Sequence, residues 1–164
     1  MPDENLLKLH QKTYLKMLEN SVGCRLFNSN IVRNKNTNEE YDVLDDGTFS
    51  CAFFVSGILT LFGQIDRMHS TVETVSKKLT EDPNWEEVSL NDIKPGDVLV
   101  WEKVTFEDGT SSDHNGFALN KNEAVSTSYI EKSVTRHHIT FGVDKNNQPN
   151  RKITKIFRNK LLTS

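Results

Sequence analysis

Cysteine is scarce in this chain of 164 residues: only Cys24 and Cys51 occur, with no C-x-x-C pair. A disulfide-stapled secreted scaffold and a cysteine-rich zinc domain are thereby excluded as first readings. At most one disulfide can form, and two free thiols are the expected state. Charge of one sign is lacking too, because 20 Lys and Arg stand against 23 Asp and Glu, a net of −3. The basic residues form no stripe, so no general grip on phosphates is expected and nucleic acid is not an expected partner. Long apolar runs are missing as well, and the first residues, MPDENLLKLH, carry no basic patch followed by an apolar stretch. No signal peptide or membrane span is expected, and a cytoplasmic location is the default reading, non-classical export aside.

What the chain does have is a core-sized set of large side chains. Hydrophobic residues make up only 35 %, yet nine Phe and two Trp are among them. One folded domain over residues 1–164 is therefore expected, rather than disorder. Apolar residues at near-helical spacing between Asp3 and the Asn20, Ser21, Gly23 cluster predict a first amphipathic helix. From Asn28 to Asp46 the chain reads as a polar loop with a short extended piece around Tyr41–Leu44. The segment CAFFVSGILTLFG is apolar on most sides, so it predicts a buried helix, opened by Asp46, Gly47, Thr48 and Ser50 and closed by Gly63. A short surface helix is expected over Ser70–Leu79, with Ser70 or Thr71 as its cap and Pro83 beyond its end.

After about residue 82 the pattern changes from helical to extended. Strands are expected at DVLVWEKVTF, HNGFAL, AVSTSYI, Ser133–Phe141 and Lys152–Phe157, separated by the turns Pro95-Gly96-Asp97, EDGTSSD, Lys121-Asn122-Glu123 and DKNNQPN. Helices first and strands second indicate an α+β domain, its helices packed on an antiparallel sheet of about five strands. The basic C-terminal segment RKITKIFRNKLL is expected to be an edge strand guarded by its lysines.

Two residues stand where chemistry is plausible. Cys51 lies where a turn feeds the buried helix, so helix-start N–H groups and the helix dipole favour its thiolate. A small apolar cysteine packed in a core helix is the equally weighted alternative. His114 opens the strand HNGFAL and could take a proton from a thiol, although alone it reads as a turn histidine. His137 and His138 are adjacent in an expected strand, so alternation sends them to opposite faces. No metal-ligand spacing occurs, and no metal or cofactor is expected. Tyr129 and Trp101 are candidates for a cleft wall.

Three blocks in order, SCAFFVSGILTLFG, VSLNDIKPGDVLVWE and DHNGFALNKNEAVSTSY, resemble those of the NlpC/P60 family of papain-like cysteine peptidases and amidases. The resemblance covers roughly residues 46–130. It implies Cys51 as nucleophile, Ile93-Lys94-Pro95-Gly96-Asp97 as the turn into the first central strand, and His114 with Gly116 as the "H-x-G" strand. By the family's spacing the third, polar site residue falls at Ser126, where a His is common. A serine can hydrogen-bond the imidazole but brings no charge to stabilise imidazolium. The family's "D-C-S-G" is here Ser50-Cys51-Ala52-Phe53, and GCRLFNSNIV lacks the family's tyrosine-bearing segment. The implied function is thiol-dependent hydrolysis of an amide bond, with a peptide or amide substrate of cell-wall type. A catalytically weak papain-like domain that serves as a binding or structural module is the alternative.

Overall fold

The computed structural model describes residues 4–105, 109 and 111–161. Three helices precede the main sheet: α1 (Glu4–Asn20), α2 (Cys51–Leu61) and α3 (Val72–Glu81). Between α1 and α2 the expected polar loop folds into a two-stranded antiparallel ribbon, β1 (Ile31–Arg33) and β2 (Glu40–Asp42). The main sheet has six antiparallel strands, β3 (Trp85–Glu87), β4 (Val98–Thr105), β5 (Ser111–Ala118), β6 (Glu123–Ser128), β7 (Ser133–His138) and β8 (Ile153–Asn159). Their spatial order is β3-β8-β4-β5-β6-β7. The α+β class is as the sequence indicates, with one strand more in the sheet than expected. The turn expected at EDGTSSD lies partly outside the described residues, as do the last three residues and the side chains of Leu6 and Leu7.

The C-terminal strand is the clearest correction. β8 is not an edge, for it pairs with β3 on one side and β4 on the other. Trp85 heads the added strand and is buried, and the short β3 takes the exposed edge in place of β8. The reason lies in the residues between the lysines: Ile156, Phe157 and Arg158 are all buried, which an edge strand with a solvated face does not require.

Alternation gives the sheet two apolar faces. Val98, Val100, Phe117, Val125, Val134 and Phe157 join Tyr14, Phe54, Val55 and Leu59 in the core beneath the helices. Leu99, Trp101, Ala118, Ala124 and Ile156 form a smaller cluster with Ile93 and Ile139 on the other face. Helix α3 covers only part of the core and is amphipathic, burying Val72, Val75 and Leu79, with the Thr71 hydroxyl accepting from the Thr74 N–H as its cap.

The Pro-Gly-Asp turn locks these layers together. Asp97 is 0 % exposed and takes a bidentate bond from Arg158 of β8, with Nε to Oδ1 at 2.9 Å and Nη2 to Oδ2 at 2.7 Å. The Lys94 N–H donates to the same carboxylate at 2.8 Å, and Arg158 also donates to the Asp92 carbonyl. The Asp97 bond raises the pKa of the Arg158 guanidinium, so the charge is retained. Gly96 has φ +92°, and a Cβ there would stand 2.7 Å from Cε1 of Tyr14. The absence of that Cβ lets the Tyr14 hydroxyl of α1 donate to the Gly96 carbonyl at 2.8 Å.

Removing one member of a buried, hydrogen-bonded ion pair strands its partner's charge. Asp97→Ala is therefore expected to lower unfolding free energy by about 3–5 kcal/mol, read from urea midpoints. Asp97→Ala combined with Arg158→Met should lose less than Asp97→Ala alone. A double variant as unstable as the sum of the single ones would refute this account of the pair.

Candidate active site

Cys51 is the first residue of α2 and is buried beneath the turn that precedes it. The expected side-chain cap is not formed, because the Ser50 hydroxyl donates backwards to the Gly47 carbonyl at 2.9 Å. The N–H groups at the helix start thus keep their positive end open. The thiol rests against strand β5, with Sγ 4.0 Å from the Asp113 carbonyl oxygen. Burial pushes the Cys51 pKa up, while backbone N–H groups of Asn115 and Ala52 and the charge of Arg151 pull the other way without prevailing. At neutral pH the sulfur is a thiol, so the helix start alone does not produce the thiolate that the sequence suggests.

His114 pairs with Trp101 across β4 and β5 and shares its face of the sheet. A register shift in β4 beside Trp101 bends the ladder at this point, as bulges commonly do next to sites. His114 Nε2 and Ser126 Oγ are 2.8 Å apart, Ser126 Oγ and His137 Nε2 are 2.8 Å apart, and His137 Nδ1 lies 2.8 Å from the His138 carbonyl oxygen. The close passage of β5 and β6 at this point depends on Gly116, where a Cβ would be 2.5 Å from the Val125 carbonyl oxygen and 2.7 Å from Ser126 Cβ.

The protons in this chain follow from its end. A carbonyl only accepts, so His137 carries its proton on Nδ1 and, when neutral, accepts at Nε2. Ser126 then donates to His137 and accepts from His114, which puts the His114 proton on Nε2. Nδ1 of His114 is left as a bare lone pair with no hydrogen-bond partner among the described residues. Burial, helped by the charges of Arg151 and His137, pulls the His114 pKa down to about 3, and burial lowers that of His137 as well. Both rings are neutral at physiological pH.

Cys51 and His114 line one cleft of about 620 Å³, together with Asp45, Thr48, Phe49, Ser112, Tyr129, Ile130, Phe141 and Arg151. They reach it from opposite sides of the β5 backbone, Cys51 from the helical core and His114 from Trp101's face. Sγ makes no hydrogen bond to the ring among the described residues. Ser126, implied as the third site residue by the resemblance, bonds His114, and His137 joins the chain behind it while His138 turns away to accept from Thr140 and Gly142 N–H groups. Tyr129 stands in the cleft wall; Trp101 lies behind the rings, its indole N–H donating to the Ile139 carbonyl at 2.7 Å. Cys24 and Cys51 are both free thiols.

Two members of the site escaped the sequence. Phe141 stacks on His137 at 4.0 Å between ring centroids and lies 5.7 Å from His114, with its own backbone at φ +58°. A bulky residue in the left-handed region is strained, and here the strain holds a ring over both histidines. Arg151 arrives from the loop before β8 and places its guanidinium over Phe141, 5.8 Å from the ring centre. Neither lies in a motif, since both depend on where the loop between β7 and β8 folds back. No group of three or more potential metal ligands occurs among the described residues, and no described helix is long and apolar enough to cross a membrane. Comparison with protein-family models, curated proteins and solved structures finds no match.

The depressed imidazole pKa has a consequence for stability. Between about pH 6.5 and 3 the unfolded chain protonates at His114 whereas the folded chain does not, so stability is complete above that window and falls as pH is lowered through it. His114→Gln should flatten the decline in urea midpoint between pH 7 and 5, with a residual slope from His137. An unchanged slope would show that the ring is not held neutral by the fold.

Proposed function

We propose that the protein is a thiol-dependent amide hydrolase of the NlpC/P60 kind, in which Cys51 is the nucleophile, His114 the general base and Ser126 the residue that orients it. The observation that carries this reading is the hydrogen-bond chain from His138 through His137 and Ser126, which fixes the tautomer of His114 and leaves an unprotonated ring nitrogen on a residue that lines the same cleft as a thiol at a helix start. A chain assembled for packing alone has no need to present a bare nitrogen.

The chemistry starts from a neutral pair. As Sγ attacks the carbonyl carbon of a bound amide, its proton passes to Nδ1 of His114, a C–S bond forms and the carbonyl electrons move to oxygen. The Cys51 backbone N–H and the open helix start stabilise that oxygen. Collapse breaks the C–N bond, the amine leaves with the proton from His114, and the enzyme holds a thioester. Water then gives a proton to His114 and its oxygen to the acyl carbon, the C–S bond breaks, and His114 returns the proton to sulfur, releasing the acid and restoring the thiol.

Among the described residues no carboxylate is bonded to the chain behind His114, so the transient imidazolium would be met there by the neutral Ser126 and His137. That predicts slower turnover than a triad with a charged third member. With a peptidoglycan-peptide digest as substrate and mass spectrometry as readout, Cys51→Ala should abolish product, His114→Ala should lower the rate by about 10²–10⁴, and Ser126→Ala should fall between His114→Ala and the parent. Product formation independent of Cys51 would end the proposal.

A second reading is favoured by one specific observation, the raised thiol pKa with no Cys51–His114 hydrogen bond. On it the cleft binds a peptide without cleaving it. The thiol is expected to alkylate with iodoacetamide only as pH rises above the ordinary value of about 8.5. An inflection below neutrality would instead mean a resting thiolate–imidazolium pair and would discard both the neutral starting state and the binding-module reading.

A further inference from the structure

Arg151 is held in the cleft as a fixed fork. Its Nε donates to the Glu102 carbonyl of β4 at 3.0 Å and its Nη2 to the Ser112 carbonyl of β5 at 2.9 Å. Both acceptors are neutral backbone groups, so the bonds orient the guanidinium without cancelling its charge. Among the described residues no carboxylate lies within salt-bridge distance of it. Glu102 and Asp113 act on it from farther off, and the Glu102 carboxylate is already accepting the Lys152 N–H at 2.8 Å. Asp45, the acidic member of the cleft wall, is exposed on the turn before α2. Nη1 has no hydrogen-bond partner among the described residues.

A half-buried cation without a counter-ion costs free energy, and a merely structural tie between two carbonyls does not need the charge. The tie instead resembles preorganisation: an aimed guanidinium, one face against Phe141, with an amino group left for a ligand. Arg151 and Cys51 line the same cleft, so an anion held by the guanidinium would share that cleft with the sulfur. Phe49, Tyr129 and Ile130 give the cleft an apolar but solvent-exposed wall on its other side.

We infer that Arg151 is a substrate-binding residue, the anchor for a free carboxylate carried close to the scissile bond. The inference rests on the amide-hydrolase reading for the word substrate, but the anion subsite itself needs no turnover. Amides beside a free carboxylate, such as those at an acidic residue or at a chain's C-terminal residue, are the class selected, and neutral or blocked amides are disfavoured.

The test uses the two cysteines of one molecule. Native protein is alkylated at about pH 9.5 with iodoacetate or with iodoacetamide, reagents that differ in a carboxylate for a carboxamide, and each cysteine is followed by peptide mass. The iodoacetate-to-iodoacetamide rate ratio at Cys51 should exceed that at Cys24 by about tenfold, as expected of a site that concentrates anions. In urea the two ratios should converge. Arg151→Gln should bring the Cys51 ratio down to that of Cys24, and Arg151→Lys should restore part of it.

Equal ratios in the native parent would overturn the inference. So would a raised ratio that survives Arg151→Gln, because the helix start would then be the group that holds the anion. Should Arg151→Gln fail to fold, protection of the parent decides: N-acetylglycine should shield Cys51 from iodoacetamide at lower concentration than N-acetylglycinamide, and equal protection refutes the subsite. A carboxylate preference in a protein that cleaves no amide would retain the subsite and remove the hydrolase reading. Cleavage of neutral amides as readily as carboxylate-bearing ones would do the reverse.

Discussion

The buried Asp97 carboxylate is the constraint on which the site's geometry depends. It is fully desolvated, and its oxygens are satisfied by the Arg158 fork and the Lys94 N–H. These bonds tie β4 to β8 at the point where β4 begins, and the Gly96 N–H and Ala118 N–H bond across the same turn to Ala118 and Asp97 carbonyls at 2.8 and 2.9 Å. With both neighbours of β4 fixed there, the register that sets Trp101 against His114 follows. Helix α1 is joined to the same turn through Tyr14, so core, sheet and cleft share one origin. A buried pair of this kind is weak evidence for net stability, since apolar residues could fill the volume as well. What it supplies here is a single register, because a slip of one residue would leave both charges unpaired.

Local chemistry was legible where it is contiguous. The apolar run of α2, the Thr71 cap, the Pro-Gly-Asp turn and the alternation that sends His137 and His138 to opposite faces all depend on neighbours in sequence. Ser126 was legible through the family resemblance rather than from its own neighbours, and the β5–β6 hairpin is what brings it to His114. What the sequence concealed is set by long-range pairing. β8 looked like an edge because its lysines are visible and its partner Trp85–Glu87 is three residues long. Of the ribbon, the extended piece around Tyr41 was expected but its partner β1 was not, for neither strand buries an alternating face. Phe141 and Arg151 reach the cleft through a loop whose path no periodicity encodes.

The electrostatics of the cleft separate it from a resting ion pair. Burial acts on both partners in the same sense, raising the thiol and lowering the imidazole, so each change favours the uncharged form. Arg151 breaks the symmetry: its charge favours thiolate over thiol at Cys51 but neutral over protonated imidazole at His114. A cation placed so stabilises negative charge wherever it develops in the cleft, on sulfur, on a carbonyl oxygen or on a bound carboxylate, and opposes positive charge on the base.

That opposition bears on the order of events. On the proposed reading, a carboxylate bound at Arg151 would largely cancel the guanidinium's field at His114, and the imidazole would become a stronger base only when the ligand is present. A neutral resting thiol is then not a defect of the site but a form in which alkylation, oxidation and unwanted acyl transfer are slow until a ligand arrives. On that reading the substrate would offset the opposing charge of Arg151, while the position of Ser126 itself stays uncharged.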